Sequence, residues 1–392
     1  MPKRILILTA GFGEGHNAAA RGIEAGLAAT GREAAVERHD LFAETYGLVN
    51  DWARGGYLTM INRTPRLWLQ MYERIDRRDG VNRRFPLLFQ LRRRLKQLLE
   101  RFRPDVVVSV YPAYPHLLAE IVGDAPAPFR RVVYITDSIT VNTIWFRVAA
   151  DYFFVPNEQT AAVLKTKGVP NEQVRVTGFP VAPLFARLGQ LRQPPSPEYG
   201  RRLLYMLNPG RVVVPEIINR LAKITDSRLT VTVGHDQRLR RAVEAVVRTA
   251  GRKFEIVGWS DQLPRLMLES HLLISKAGGA TVQEAIAARC PMIINQVVPG
   301  QEAGNARLLE TTGAGVIATT PDAIIAAVER VFADDARVWR EWSENIGRLT
   351  RPEAPLEIAK QIMALAEELS SLSCHPERSE GPGELTGRSL TK

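Results

Sequence analysis

The sequence predicts an α/β protein made of two doubly wound domains that face a cleft, and three observations carry that prediction. Short β-branched runs alternate with helical patterns along most of the 392 residues, the arrangement of parallel strands covered by helices on both faces. At roughly 150 residues per domain the length allows two such units. A Pro-rich stretch, Gln193-Pro-Pro-Ser-Pro197, separates one series of strands and helices from a second.

Taken in order, residues 5–9 read as a strand, followed by a Gly-rich turn and a helix over 17–29. The runs 105–111 and 131–136 have the character of buried parallel strands, and 152–155 and 174–177 close the first sheet. After the linker, strands are expected at 203–207, 229–233, 254–257, 272–275 and 292–295. The domains are therefore 1–192 and 201–370, the latter with C-terminal helices, joined by 193–200. Residues 371–392 are nearly free of apolar side chains and read as a disordered tail. In doubly wound folds ligands bind beyond the carboxyl ends of the strands, so the loops that follow strands carry the functional argument.

Composition narrows the classes. Apolar residues make up 45% of the chain, enough for sizeable cores. Cys290 and Cys374 are the two cysteines, which excludes a disulfide framework and a four-cysteine zinc site. No apolar run approaches the roughly 18 residues of a spanning helix, and a secretory signal is not expected. The net charge of +10 points to an anionic partner. Between Arg54 and Arg103 there are fourteen Arg or Lys and four acids, a local excess as large as that of the whole chain. Trp52, Tyr57, Trp68, Tyr72, Phe85 and Phe89 interleave with these cations. Leu88, Leu91, Leu95, Leu98 and Leu99 recur at helical spacing around Arg92, Arg93, Arg94 and Lys96. A basic amphipathic helix with neighbouring aromatics suits an anionic membrane surface, with Trp68 and Arg92–Arg94 as contacts. The same pattern also describes a solvated helix whose leucines face the core. No nucleic-acid recognition motif accompanies the charge, so nucleic acid is not expected as a partner.

Three loops hold candidate chemistry. Gly11-Phe-Gly13-Glu-Gly15-His16-Asn17 follows a strand and opens a helix, where glycines let a ligand approach the backbone and the helix start offers free amides. It is neither the dinucleotide fingerprint nor a P-loop. His16 at the helix mouth has the ordinary pKa of a general base; a plain turn with Asn17 as helix cap explains the same residues. The second loop, Ser275-Lys276-Ala-Gly278-Gly279-Ala-Thr281-Val-Gln-Glu284, opens another helix with amides free for a phosphate. Glu284 is able to accept both hydroxyls of a ribose. Thr281-x-x-Glu284 is also a capping box, which would occupy that carboxylate. The third loop, Pro299-Gly-Gln301-Glu302-Ala-Gly-Asn305, sets three polar side chains after a strand or makes an ordinary turn.

Together, residues 11–20, 276–284 and 299–305 resemble the monogalactosyldiacylglycerol synthase family, which includes the processive diacylglycerol glucosyltransferases. The peptidoglycan lipid-carrier N-acetylglucosaminyltransferase is a more distant relative, and the likeness spans roughly residues 1–370. The resemblance implies the GT-B fold, two Rossmann-like domains, and an inverting hexosyl transfer from a UDP-sugar to diacylglycerol on the cytoplasmic face of the membrane. No metal or other cofactor is implied, the UDP-sugar being a co-substrate. It implies that Gly258 and Trp259 border the uracil, that Glu284 holds the ribose, and that Gly278, Gly279 and Thr281 approach the diphosphate. Gln301 and Glu302 then read sugar hydroxyls, with Asn305 in the same loop, and Lys276 and Arg211 meet phosphate charge. On the acceptor side Gly13 and Gly15 shape the loop, and His16 is the base, assisted by Asp137, whose charge would raise the His16 pKa. Two positions depart from the family. Asn208-Pro-Gly-Arg211 replaces a Gly-rich turn, removing one amide donor while Arg211 adds charge. Asn142 stands near the place of a family histidine and is unable to act as a base. The alternatives are another lipid or polyprenyl acceptor, a UDP-sugar epimerase on the same fold, or a membrane-binding relative without catalysis.

Overall fold

The computed structural model describes residues 2–77, 88–196, 200–207, 214–224, 226–249 and 254–373. The first unit contains β1 (Lys3–Leu8), α1 (Glu14–Ala29), β2 (Ala34–His39), α2 (Leu41–Tyr46), α3 (Leu48–Arg63), α4 (Pro65–Arg77) and α5 (Phe89–Phe102). It continues with β3 (Val106–Ser109), α6 (Ala113–Val122), β4 (Arg130–Tyr134), β5 (Tyr152–Val155), α7 (Glu158–Thr166), β6 (Val174–Val176) and α8 (Leu184–Arg187). Its six strands are parallel in the order β2-β1-β3-β4-β5-β6. Alternation along β1 explains the layers. Ile5 and Ile7 face one buried cluster with Ile23 of α1, and Leu6 and Leu8 face another with Leu91, Leu95, Leu98 and Leu99 of α5.

The second unit runs β7 (Arg201–Met206), α9 (Val214–Leu221), β8 (Ser227–Gly234), α10 (Gln237–Thr249), β9 (Glu255–Gly258), α11 (Leu263–Glu269), β10 (Leu272–Lys276) and α12 (Gly279–Ala288). Then come β11 (Met292–Gln296), α13 (Ala303–Thr311), β12 (Gly315–Ile317), α14 (Pro321–Leu349) and α15 (Ala354–Ser373). Its parallel order is β12-β11-β10-β7-β8-β9. The chain reverses direction across the sheet between β1 and β3 in the first unit, and between β7 and β10 in the second. Those two crevices are where a doubly wound fold receives ligands.

Several expectations need correction. The first helix begins at Glu14, one turn before the expected start at 17. Strands β2 and β12 were not anticipated: the first is a charged edge strand and the second has three residues. The C-terminal helix, assigned by sequence to the second domain, crosses back onto the first. Ile358, Ala359 and Ile362 of α15 lie in the same buried cluster as Ile5, Ile23 and Val108, and Glu367 accepts from Arg32 at 2.9 Å. Helix α15 continues to Ser373, so residues 371–373, expected in the tail, are helical; residues 374–392, with Cys374, lie outside the described residues. Arg211 and the rest of the 208–211 turn lie outside them as well, as does Phe85.

Candidate active site

The two helix starts meet at the cleft. Gly13, at φ 136°, is the N-cap of α1, and Gly278 is the N-cap of α12; neither start is capped by a side chain. A Cβ on Gly15 would stand 3.8 Å from the Ala280 amide nitrogen, so the first turns face each other closely. Uncapped first-turn amides at the positive ends of two helices form an anion-receptive surface.

His16 sits in the first turn of α1, buried, with its Nδ1 2.8 Å from the carbonyl oxygen of Val110, just beyond β3. A carbonyl only accepts, so Nδ1 carries the proton and Nε2 keeps its lone pair. Burial lowers the His16 pKa to about 4, against a smaller opposing effect of the Val110 hydrogen bond. The expected rise through Asp137 is therefore corrected: desolvation wins, and the resting imidazole is neutral. Asn17 does not cap the helix; its Oδ1 accepts from Thr9 Oγ1 at 3.0 Å.

Asp137 follows β4 and lines the same pocket of about 150 Å³ as His16. Its Oδ2 accepts from Trp145 Nε1 at 3.0 Å. Burial raises its pKa to about 6, with the Trp145 bond pulling down and the Glu302 charge adding to the rise. The walls are aromatic. Tyr111 meets His16 edge-on at 5.1 Å, Trp145 lies 5.9 Å away on the other side, and Phe12, Tyr57, Trp68 and Tyr72 complete the enclosure. No Lys or Arg is among the described residues that line it. Sequence reasoning did not assign Phe12, Tyr57, Tyr72, Tyr111 or Trp145 to this site. The signal for Tyr57 and Tyr72 was the aromatic interleaving between residues 52 and 89.

The structure divides the proposed membrane contacts. Trp68 is 8% exposed and belongs to the pocket, not the surface. The leucines of α5 face the core, Arg92 pairs with Glu120 at 3.0 Å, and Arg93 and Arg94 are exposed. The solvated-helix reading therefore holds for α5. Exposed apolar side chains gather instead on α3 and α4, where Leu48, Val49, Trp52, Leu67 and Met71 meet solvent, Trp52 at 84%. On α4 the inner face carries Trp68 and Tyr72, and the outer face Leu67 and Met71. This helix also reaches the second unit: Tyr72 and Leu69 lie against Gly300, and the Tyr57 hydroxyl of α3 donates to Gln301 Oε1 at 2.9 Å.

On the second unit the capping box does not form. Helix α12 starts at Gly279, ahead of Thr281, so Thr281 is inside the first turn and caps nothing. Glu284 is thereby released from capping and lies at the α1–α12 interface. Burial raises its pKa to about 7, with Arg21 opposing and Glu14 reinforcing the rise. Lys276 folds its ammonium over Gly278 and pairs with Glu302. Glu302 is 5% exposed, and its Oε2 also accepts from the Val298 amide at 3.0 Å. Asn305 bridges the cleft, its Oδ1 accepting from the Ser138 amide and its Nδ2 donating to the Ala277 carbonyl, each at 3.2 Å. Gln301 lines the pocket that holds His16 and Asp137. Gly258 ends β9, and the exposed Trp259 beyond it stacks on His235 at 5.3 Å and 15°, an open aromatic platform in which His235 was not foreseen. Among the described residues no group of three or more His, Cys, Asp or Glu is placed to hold a metal ion. No helix there is long and apolar enough to cross a membrane.

Comparison with known proteins places this geometry. Residues 16–181 match the monogalactosyldiacylglycerol (MGDG) synthase family model, and residues 211–345 match the glycosyltransferase family 28 C-terminal domain. A processive diacylglycerol beta-glucosyltransferase from Bacillus cereus (strain AH820) is 27% identical over 374 residues, covering 92% of this chain and 93% of that protein. The protein of the same name from Bacillus subtilis (strain 168) is 25% identical over 386 residues, covering 94% and 97%. Among solved structures, the S. aureus MnaA–UDP co-structure aligns with a TM-score of 0.60 at 15% identity, covering 95% of this chain and 98% of that one. MurG of Acinetobacter baumannii aligns at 0.60 and 15%, covering 93% and 100%. At that identity the likeness is one of fold, and the fold is GT-B.

Proposed function

We propose that this chain, which matches the monogalactosyldiacylglycerol synthase and glycosyltransferase family 28 C-terminal models in turn, transfers a hexose from a UDP-sugar to the free hydroxyl of diacylglycerol with inversion. The observation that carries this reading is the lining of the pocket at the start of α1. Two proton-accepting groups, His16 and Asp137, stand within aromatic walls that include no cation among the described residues. Such a pocket suits a neutral hydroxyl-bearing lipid. An acceptor bearing a phosphate would place its charge beside Asp137 without a compensating Lys or Arg.

In the reaction, the acceptor hydroxyl hydrogen-bonds to Nε2 of the neutral His16. As the oxygen bonds to the sugar carbon and UDP departs from the opposite side, the hydroxyl becomes strongly acidic, and even a weak base receives its proton. The imidazolium then forms in a buried pocket beside the Asp137 carboxylate, which stabilises it. The departing diphosphate is met by the uncapped amides of α12 and by Lys276 released from Glu302; Arg211, assigned a phosphate role from the sequence, lies outside the described residues. Glu284 accepts the ribose hydroxyls, and the Trp259–His235 platform borders the uracil. The UDP-sugar is a co-substrate, and the reading includes no metal or other cofactor.

The same reading puts the protein at the cytoplasmic face of a membrane as a peripheral protein, where both substrates are collected. Its contact surface is the outer side of α3 and α4, with Trp52, Leu67 and Met71 inserted among anionic headgroups and the exposed Arg66 and Arg74 on α4. The test is UDP release from a panel of UDP-hexoses, with diacylglycerol, with a polyprenyl acceptor and with neither, in vesicles that contain anionic lipid. Release that requires diacylglycerol is the expected result. Release only with a polyprenyl acceptor, or none with any donor, would reject the reading.

A further inference from the structure

The pocket contains two buried hydrogen-bond donors with nothing to donate to. Among the described residues, neither Trp68 Nε1 nor the Tyr72 hydroxyl has a partner in hydrogen-bond geometry, although both atoms are shielded from solvent. Trp68 is more than nine-tenths buried, and both residues line the cavity that holds His16 and Asp137. Buried polar groups in folded proteins are nearly always paired, so two orphans in one cavity call for a ligand. The other polar groups around them are already engaged. The Tyr57 hydroxyl donates to Gln301, Trp145 Nε1 to Asp137, and His16 Nδ1 to Val110. Asn142 Oδ1 accepts from the Ile144 amide, and its Nδ2 donates to the Tyr72 carbonyl oxygen.

The two orphans share a chemistry. Indole N–H is a donor only. The Tyr72 phenol is held well above its ordinary pKa, first by burial and then by the charges of Asp137 and Asp76, so it keeps its proton; the Asn142 amide, which opposes this weakly, is a donor toward the phenol oxygen and leaves the O–H without an acceptor. Spaced i, i+4 on α4, they occupy one face of the helix. The matching ligand is one that offers hydrogen-bond acceptors and no charge. Ester carbonyls, which in an acylglycerol lie a few bonds from the free hydroxyl, have that character; an ether oxygen is a poorer acceptor in the same place.

We propose that Trp68 and Tyr72 are specificity-determining residues that donate to the ester carbonyl oxygens of the acceptor and so select an acylglycerol over an alkylglycerol. The inference rests on the diacylglycerol reading above and deepens it. The cavity size agrees: about 150 Å³, roughly the share of five waters in the liquid, accommodates glycerol carbons and an ester but not acyl chains. The chains have a way out along the same helix, where Leu67 and Met71 are exposed on its outer face.

The test compares 1,2-diacylglycerol with 1,2-dialkylglycerol of equal chain length, dispersed in the same vesicles, with UDP-glucose and UDP-galactose as donors. Wild type, Trp68→Phe and Tyr72→Phe are measured for kcat/KM. The wild type is expected to prefer the diester about tenfold or more, and each variant to lose about tenfold on the diester, so that the ratio falls toward one. Tyr72→Phe removes a single oxygen and keeps the ring, which separates lost recognition from lost folding. A ratio unchanged in both variants, or a wild type that uses both lipids equally well, would overturn the inference and leave the acceptor class standing. No transfer to either lipid by the wild type would overturn both together.

Discussion

Replacing Asp137 by Asn should make the protein more stable and less active, and the structure gives the size of the first effect. The carboxyl moves from 3.8 to about 6 on folding, chiefly through burial. A rise of about two units corresponds to about 3 kcal/mol. Because the folded value lies above the unfolded one, the native state holds the proton more tightly. Wild-type stability therefore falls as pH rises from about 4 through about 6, and the full penalty is present above that window. Asn carries no charge to bury and is still able to accept from Trp145 Nε1. In urea denaturation, the variant should exceed the wild type by up to about 3 kcal/mol at pH 8, with the two converging toward pH 4 and the m-value unchanged. Turnover should drop about a hundredfold, and the acid limb of the wild-type rate profile, expected near pH 6, should vanish in the variant. A variant less stable than the wild type at pH 8, or an acid limb that survives the substitution, would refute the reasoning.

The remaining predictions concern the base, the donor and the closure of the cleft. His16→Ala should lower kcat at least about a hundredfold with little change in the KM for UDP-sugar, as steady-state kinetics would show. Glu284→Gln should weaken UDP binding about tenfold or more by calorimetry, and the gap to wild type should widen between pH 6 and 8 as the native carboxylate ionises through its pKa of about 7. Gly304→Ala would put a methyl 1.9 Å from the Ser138 carbonyl oxygen and 2.4 Å from the Thr140 amide nitrogen. That overlap forces α13 away from the first unit at a cost of about 1–3 kcal/mol. Loss of activity together with a larger radius of gyration in small-angle scattering is expected.

The two sheets were legible because their inner strands are continuous apolar runs, such as Val106–Ser109, that fit only a doubly covered parallel strand. Strand β2 was not, since its Glu37, Arg38 and His39 serve ion pairs at the sheet edge and break the apolar pattern. The glycine loops at 11–17 and 276–284 announced both helix starts, but spacing alone could not decide between a capping box and a free Glu284; the actual helix start at Gly279 decides it. Charge and aromatics between residues 54 and 103 were visible in sequence, yet the division of α4 into a pocket face and a solvent face depends on how it packs across the cleft. Long-range contacts gave the largest corrections. The Ser138 amide engages the oxygen of Asn305 across the cleft, and burial lowers the His16 pKa where a rise was expected.

The proposed transfer of a hexose from UDP to diacylglycerol takes place at the cleft where the starts of α1 and α12 face each other. It is tested most directly by mass spectrometry of the lipid extract, with proton NMR of the purified glycolipid, after the protein is incubated with α-linked UDP-hexoses and diacylglycerol vesicles. The account predicts a hexosyl-diacylglycerol with a β linkage, formed by the wild type and nearly absent with His16→Ala. An α-linked product, or no glycolipid from any UDP-hexose although UDP binds, would contradict it.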